Sequence, residues 1–446
     1  MPATKKTQTD GNGPKNGAAA MEPGVAPMDP TVGSGAWMLA APRRAFRSLR
    51  HRNFRLFAFG QVISLPGAWM QTVALSWLVY RMTDSAALLG VVQFAMHIPI
   101  FLFGLLGGLA ADRFPRRRLV MATQMLLMAQ ASVLAALVLT GRATIHHLIL
   151  LAAVLGFALA FDIPARQSLL SELVPPKDLM NAIALNSSNF NFARLVGPAA
   201  AGFLVARWGE GMCFLINALS FTVILLALTQ VRTVAHKPAG SGVSPLQQLG
   251  EGLVYVASTP HAKALLSLLA AASLCAYPHI VLMPVFARDI LGGDASTLGT
   301  LMAAAGGGAL LGALSLASRS STRGLGRTVA LSCGGFGVAL VAFSFSRYLV
   351  LSHLLMVAAG FGMMKHLAAT NTLLQSFVPG ELRGRLMSIY STILIGFAPF
   401  GSLVTGWFAD QYGAPAVLAA CGGLLVLSAA RFAARIPTLG KAWKNL

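Results

Sequence analysis

From residue 56 onward the chain alternates between long apolar runs and short polar breaks. The runs match the roughly 20 apolar residues that a helix needs to cross a hydrocarbon layer. They fall at 56–80, 86–110, 119–140, 147–168, 182–206, 212–231, 263–287, 297–318, 328–346, 348–370, 386–409 and 413–433. A polar gap at 232–262 divides them into two sets of six. Inside it, Leu246, Leu249, Leu253, Val254 and Val256 have the spacing of a short amphipathic helix lying along the cytoplasmic face. The expected organisation is therefore an all-α integral membrane protein: bundles at 56–231 and 263–433, a cytoplasmic linker at 232–262 and a tail at 434–446. Residues 1–42 have no apolar period and are rich in Pro, Gly, Ala and Asn, which predicts a disordered tail. No apolar core follows Lys5 and Lys6, so no secretory leader is expected, and Met21, Met28 or Met38 are alternative starts.

Composition supports the bilayer as solvent. Of the 446 residues, 56% are hydrophobic and 11% charged, against about 25% charged in a soluble domain. The net charge of +20 raises the question of a nucleic-acid partner. Such a partner calls for basic residues clustered on one polar face, whereas here they stand singly between apolar runs, and none is expected. With the N-terminus inside, most of the 34 Lys and Arg lie on the cytoplasmic side. Arg81, Arg142, Arg207, Arg288 and Arg347 stand alone in the opposite loops. This asymmetry predicts cytoplasmic termini in a multi-pass protein of the inner (plasma) membrane. Residues 43–55, R-R-A-F-R-S-L-R-H-R-N-F-R, form a basic amphipathic lead-in suited to an anionic leaflet.

Chemistry-bearing patterns are few. Cys213, Cys275, Cys333 and Cys421 lie in apolar runs with no CxxC pair, and read as small buried hydrophobes rather than metal ligands. The adjacent His146 and His147 lack a ligand spacing, and neither a Walker A nor an HExxH pattern occurs. An enzyme, a resident cofactor and a metal site are therefore not expected.

The halves repeat. Ser168 to Leu179 reads S-L-L-S-E-L-V-P-P-K-D-L, and Thr372 to Arg383 reads T-L-L-Q-S-F-V-P-G-E-L-R. Each precedes a run with a central proline, Pro198 and Pro399. Such a duplication is typical of secondary transporters, whose site lies near midplane between the repeats.

The stretch from Gly108 to Arg118, G-L-A-A-D-R-F-P-R-R-R, resembles the signature loop of the major facilitator superfamily. Gly108, Asp112, Arg113, Arg116 and Arg117 match, while Pro115 stands where that family usually has Gly. The resemblance implies that this loop latches the halves together on the cytoplasmic side. R-L-V-G-P-A-A-A-G resembles the motif of drug–proton antiporters on the fifth helix, here Arg194, Gly197, Pro198 and Gly202. Pro198 removes a backbone hydrogen bond and is expected to kink the helix. The glycines allow a neighbour to approach, with A-G-G-G-A-L-L-G at Ala305–Gly312 as the expected partner. Phe54–Ser64, Trp69–Trp77, Phe161–Gly202 and Phe377–Arg385 look like the branch holding enterobactin (siderophore) exporters and macrolide efflux proteins. This resemblance implies a monomeric, proton-coupled antiporter that exports small amphipathic molecules, such as siderophores or drugs, by alternating access. An importer on the same fold and a non-transporting receptor or scaffold are the alternatives.

Ionisable groups inside spans cost about 2.5–3.5 kcal/mol each on insertion scales and are functional candidates. Asp162, Arg194, Lys365 and His366 are the coupling candidates. Asp162 and Arg194 are read as a pair that either changes state during transport or statically joins two helices, with Arg166 one turn beyond Asp162. Lys365 can snorkel, and His366 is the repeat equivalent of Asp162. His97 and His279 read as packing histidines. Gln61, Gln71, Gln93, Asn189, Tyr277 and Tyr390 are candidates to line a cavity, with Trp69, Met70, Phe94 and Phe397 as its apolar wall.

Overall fold

A bilayer leaves no water for backbone groups, so each apolar run must satisfy its own hydrogen bonds as a helix. The computed structural model describes residues 46–232, 250, 254–319, 321–378 and 380–443. The tail at 1–42 and most of the 232–262 gap, Leu246, Leu249 and Leu253 included, lie outside the described residues. The helices are α1 (Arg52–Thr83), α2 (Ala86–Arg113), α3 (Arg116–Leu139), α4 (Ile145–Leu170), α5 (Leu179–Trp208), α6 (Glu210–Gln230), α7 (Pro260–Val285), α8 (Ala295–Ala317), α9 (Leu325–Phe345), α10 (Leu349–Phe377), α11 (Gly380–Gly396), α12 (Ala398–Tyr412) and α13 (Ala414–Trp443). A π turn, Phe286–Ile290, extends α7.

Local chemistry sets the ends. Ser85, Thr144 and Asp294 cap α2, α4 and α8 by accepting hydrogen bonds from first-turn amides. Gly209 and Gly413, at φ 80° and 85°, make the one-residue turns after α5 and α12. Pro399 ends α11, because its ring excludes the carbonyl four residues back, and then sits in the first turn of α12. The eleventh run is thus two helices meeting at Phe397. α5, by contrast, runs unbroken through Pro198. α13 continues to Trp443, through most of the expected tail.

Among the described residues, eleven spans are long and apolar enough to cross a membrane, α11 and α12 counting as one. α5 has the length, 30 residues, but falls outside that set. Asn181, Asn186, Asn189, Asn191 and Arg194 lower its apolarity. Helix pairing occurs twice over. Among α1–α6 the pairs are α1·α5, α1·α6, α2·α4, α3·α4 and α3·α6. The same pattern recurs as α7·α12, α7·α13, α8·α10, α9·α10 and α9·α13. Two further pairs, α5·α8 and α2·α12, join the sets and are equivalents of one another.

The described part of the basic lead-in is tied to the turn before α5. Arg47 Nε, Arg50 Nη2 and His51 Nε2 each lie 2.7 Å from the buried carboxylate of Asp178, just before α5. The Ser48 amide donates to Asn181 Oδ1 at 2.8 Å. Hydrogen bonds to an ionised carboxylate are shorter and stronger than neutral ones, and they hold these side chains on the α4–α5 turn. The hydrogen bond from His51, reinforced by Arg50 and Arg47, outweighs burial and holds the Asp178 carboxyl below its usual range. A depressed folded value adds stability above the ordinary carboxylate range and loses it as pH falls through the lowered value. Hydrogen-exchange protection at 47–52 and in the first turn of α5 is therefore expected to fall on acidification. Asp178→Asn should remove that pH dependence; protection that falls equally in the variant would contradict the assignment.

Candidate functional site

Four helices carry a stripe that changes character along its length. On α1 it runs through Arg55, Phe59, Val62, Pro66, Trp69 and Val73, spaced three or four residues apart on one face, and on to Tyr80 two turns further. Exposure falls along it from 61% at Phe59 to 1% at Val73. On α5 the stripe is Ile183, Ser187, Phe190, Arg194, Pro198, Ala201 and Val205, falling from 45% at Phe190 to 0% at Ala201. α7 repeats it, with Lys263, Ser267 and Leu274 exposed and Val281 and Val285 buried. So does α11–α12, with Gly384, Ser388 and Ser391 exposed and Ala398 and Ser402 buried. A lipid-facing stripe stays exposed from end to end. One exposed in one half and buried in the other lines a cavity open at a single end, where α1 begins.

Backbone contact seals the other end. A Cβ on Gly299 of α8 would lie 2.5 Å from the Pro198 carbonyl oxygen and 2.7 Å from the Gly202 Cα. At the equivalent junction, a Cβ on Gly90 of α2 would lie 2.6 Å from the Ser402 carbonyl oxygen. Only glycine admits such approaches. Charges reinforce the seal. Tyr80 Oη donates to Asp289, and Arg288 Nη1 meets Asp84 Oδ1 at 2.6 Å. Asp410 accepts from the Ala86 amide at 2.6 Å and from Ser85 Oγ at 2.7 Å. It thereby places a carboxylate at the positive end of α2.

The expected pairing of Asp162 with Arg194 is not what forms. Asp162 is buried, and its Oδ2 pairs with Arg166 Nη2 at 2.9 Å, one turn along α4. Its Oδ1 accepts from Thr123 Oγ1 and Gln124 Nε2, both at 2.9 Å. Arg166 Nη1 also donates to Gln61 Oε1 at 3.2 Å. A partner one turn away on the same helix needs no helix movement to reach. Arg194 instead lies on the cavity stripe, its guanidinium 5.9 Å from the Trp69 ring centre. Trp69 also meets Phe190 edge-on at 5.8 Å.

Most of the expected cavity amides sit in the packing. Gln61 is buried under Arg166. Gln71 donates to Gln130 at 3.0 Å and accepts from Asn217 at 2.8 Å, a buried network among α1, α3 and α6. A glutamine in hydrocarbon must find polar partners, and facing helices supply them. Gln93 is buried beside Thr72 and Ser76 between α1 and α2. Asn189 is half-buried on α5, off the stripe. Tyr390 is buried and donates to the Leu367 carbonyl at 3.2 Å. The Tyr277 side chain lies outside the described residues.

His97 meets the Gln93 carbonyl through Nδ1 at 2.8 Å, and His279 packs edge-on to Phe336. Lys365 shares a face of α10 with exposed Val350 and Leu354, its ammonium 4.9 Å from the Phe361 ring centre. That face is exposed at Val350, Leu354 and Thr372 and half-buried at Phe361 and Lys365, a setting from which a long cation can snorkel. His366 and Thr370 are buried where α4 carries Asp162 and Arg166.

The signature loop is tied to its own set of helices. Gly108 has open space around it. Asp112 and Arg113 occupy the last turn of α2. Arg116 donates to Glu172 at 3.1 Å and to the Ser168 carbonyl at 3.4 Å. Arg117 donates to the carbonyls of Leu228 at 2.6 Å and Thr229 at 2.9 Å, at the end of α6. Phe59, Val62, Ser187 and Phe190 escaped the sequence reading, though their three-and-four spacing with Arg55 and Arg194 was available. The Asp84–Arg288 and Tyr80–Asp289 contacts left no such signal, since each joins residues of different sets.

Residues 43–444 match the family of transmembrane secretion effectors. The multidrug efflux pump Tap of Mycolicibacterium fortuitum is 28% identical, with 80% of this chain and 89% of that protein covered. The staphyloferrin A transporter of Staphylococcus aureus is 26% identical over 78% and 87%. Macrolide efflux protein A of Streptococcus pyogenes is 20% identical over 82% and 92%. Among solved structures, an inward-facing, unoccupied bacterial homolog of the human lysosomal transporter Spinster superposes with a TM-score of 0.67 at 17% identity. It covers 88% of this chain and 96% of that one. A point mutant of the peptide transporter POT gives a TM-score of 0.71 at 12% identity over 87% and 95%. A one-ended cavity between repeated helix sets, matched over almost the whole chain, makes this protein a membrane transporter of the major facilitator superfamily, in the family of transmembrane secretion effectors.

Proposed function

We propose that this transporter exports small amphipathic molecules from the cytoplasm by alternating access, in exchange for protons. The observation that carries the reading is the graded stripe on four helices, open at one end and closed at the other by the α5·α8 and α2·α12 contacts. The relatives support it, since their names describe efflux of drugs and macrolides and transport of staphyloferrin A.

In this reading α5 is also a span, giving twelve in two pseudo-symmetric six-helix bundles, 56–231 and 263–433, with both termini cytoplasmic. The Lys and Arg distribution supports that orientation, so the open end faces the cytoplasm. The protein acts as a monomer in the plasma (inner) membrane, without nucleic acid or resident cofactor. Asp162 with Arg166 is the coupling pair, and Asp112, Arg113, Arg116 and Arg117 form the cytoplasmic latch when that end closes.

The test uses everted vesicles with an acid interior. Export in cells appears as uptake of a fluorescent substrate, stopped when the pH gradient is collapsed. Release instead of uptake means import. Uptake indifferent to the gradient removes proton coupling.

A further inference from the structure

Among the stripe residues whose side chains are described, the charged ones in the open half of the cavity are cations. Its stripes carry Arg55 on α1, Arg194 on α5 and Lys263 on α7; Glu381 stands in the first turn of α11, three residues before Gly384, and its side chain lies outside the described residues. The acidic residues whose side chains are described are placed elsewhere. Asp84, Glu210, Asp289, Asp294 and Asp410 lie at the sealed end. Asp112, Glu172 and Asp178 lie at helix ends around the opposite rim. Asp162 is buried and already bonded to Arg166. A cleft with low-dielectric walls focuses the field of such one-signed charges on whatever enters it.

The wall around Arg194 is also amphipathic. Trp69 and Phe190 form an aromatic corner, and the guanidinium lies against the Trp69 face at half depth, where the stripe turns from exposed to buried. A planar guanidinium holds a carboxylate through two parallel hydrogen bonds, while the rings take an apolar body.

From this we infer that the cavity selects amphipathic organic anions. The acidic group binds Arg194, the apolar body lies on Trp69 and Phe190, and Arg55 and Lys263 draw the anion in at the mouth. The inference rests on the export reading, of which it names the substrate class.

Two xanthene dyes of similar size test it: anionic fluorescein and cationic tetramethylrhodamine methyl ester. Fluorescence anisotropy on the purified full chain reads equilibrium binding, which requires no direction of transport. Fluorescein is expected to bind at least about tenfold more tightly, the order that a charge-assisted hydrogen bond supplies. Arg194→Gln should cost about that factor for fluorescein and leave the cation unchanged, while Arg194→Lys should retain most of the preference. Equal or tighter binding of the cation overturns the inference. So does fluorescein binding unchanged in an Arg194→Gln protein that melts like the parent. If Arg194→Gln does not fold, the Arg55→Gln/Lys263→Gln double variant carries the test, and undiminished fluorescein binding in it overturns the inference.

Flux in everted vesicles separates this from the export reading. Fluorescein bound but never taken up keeps the anion site and rejects export. Energised uptake of the cation, with no fluorescein bound, keeps export and rejects the anion site.

Discussion

Gly299→Val is expected to abolish most transport while the protein still inserts and folds. The new Cβ would meet the Pro198 carbonyl oxygen at 2.5 Å and the Gly202 Cα at 2.7 Å. Both are backbone atoms, so no side chain can rotate away, and α5 and α8 must separate. Each helix keeps its contacts within its own set, α5 with α1 and α8 with α10, so the cost falls on the closed end. Overpacking of this kind costs about 1–3 kcal/mol, enough to shift a two-state balance by roughly five- to 150-fold. Hydrogen exchange in the first turn of α8 should rise along with the loss of flux. Gly406→Val, at the equivalent α2·α12 junction, should behave the same, its Cβ lying 2.5 Å from the Ala86 carbonyl oxygen. Gly307→Ala is the control, since its nearest contact is Leu195 at 3.7 Å. Normal flux and protection in Gly299→Val would show that the seal does not depend on this approach.

The second large effect is expected at Asp162. Asp162→Ala leaves Arg166 without its carboxylate and takes the acceptor from Thr123 and Gln124. Breaking a buried pair from one side costs about 3–5 kcal/mol, a large part of the stability of an ordinary domain. The loss should appear as a lower melting temperature of the solubilised protein. The Asp162→Ala/Arg166→Ala double variant should recover part of it, because no charge is then stranded. A double variant no more stable than Asp162→Ala would sink the pair as the source of the effect. Asp162→Asn separates structure from coupling, since an amide can still accept from Thr123 and Gln124 but does not titrate. Its flux should no longer follow the pH gradient; unchanged proton-driven flux would assign coupling to another group.

Helix order and the α5·α8 contact were legible in the sequence, because apolar runs of membrane length and clustered glycines are local signals. Helix faces were less so. In α1, α2 and α4 both the lipid face and the packed face are apolar, so periodicity does not mark which side of the helix Gln71 or Gln93 occupies. The Asp162 partner was misread because helical depth alone makes Arg194 as good a candidate as Arg166; only the azimuth around α5 separates them. The sealing charges Asp84, Arg288 and Asp289 read as ordinary loop residues because their contacts cross between the two sets.

The break at Phe397 has a mechanical corollary. α12 is held against α2 by the Gly90 and Gly406 contacts, whereas α11 is a separate rod of 17 residues. At 1.5 Å per residue that rod is about 25 Å long, so a tilt of about 10° at Phe397 carries its far tip about 4 Å. The mouth can thus widen or narrow by more than the diameter of a water molecule through one backbone joint, with the seal beyond it undisturbed.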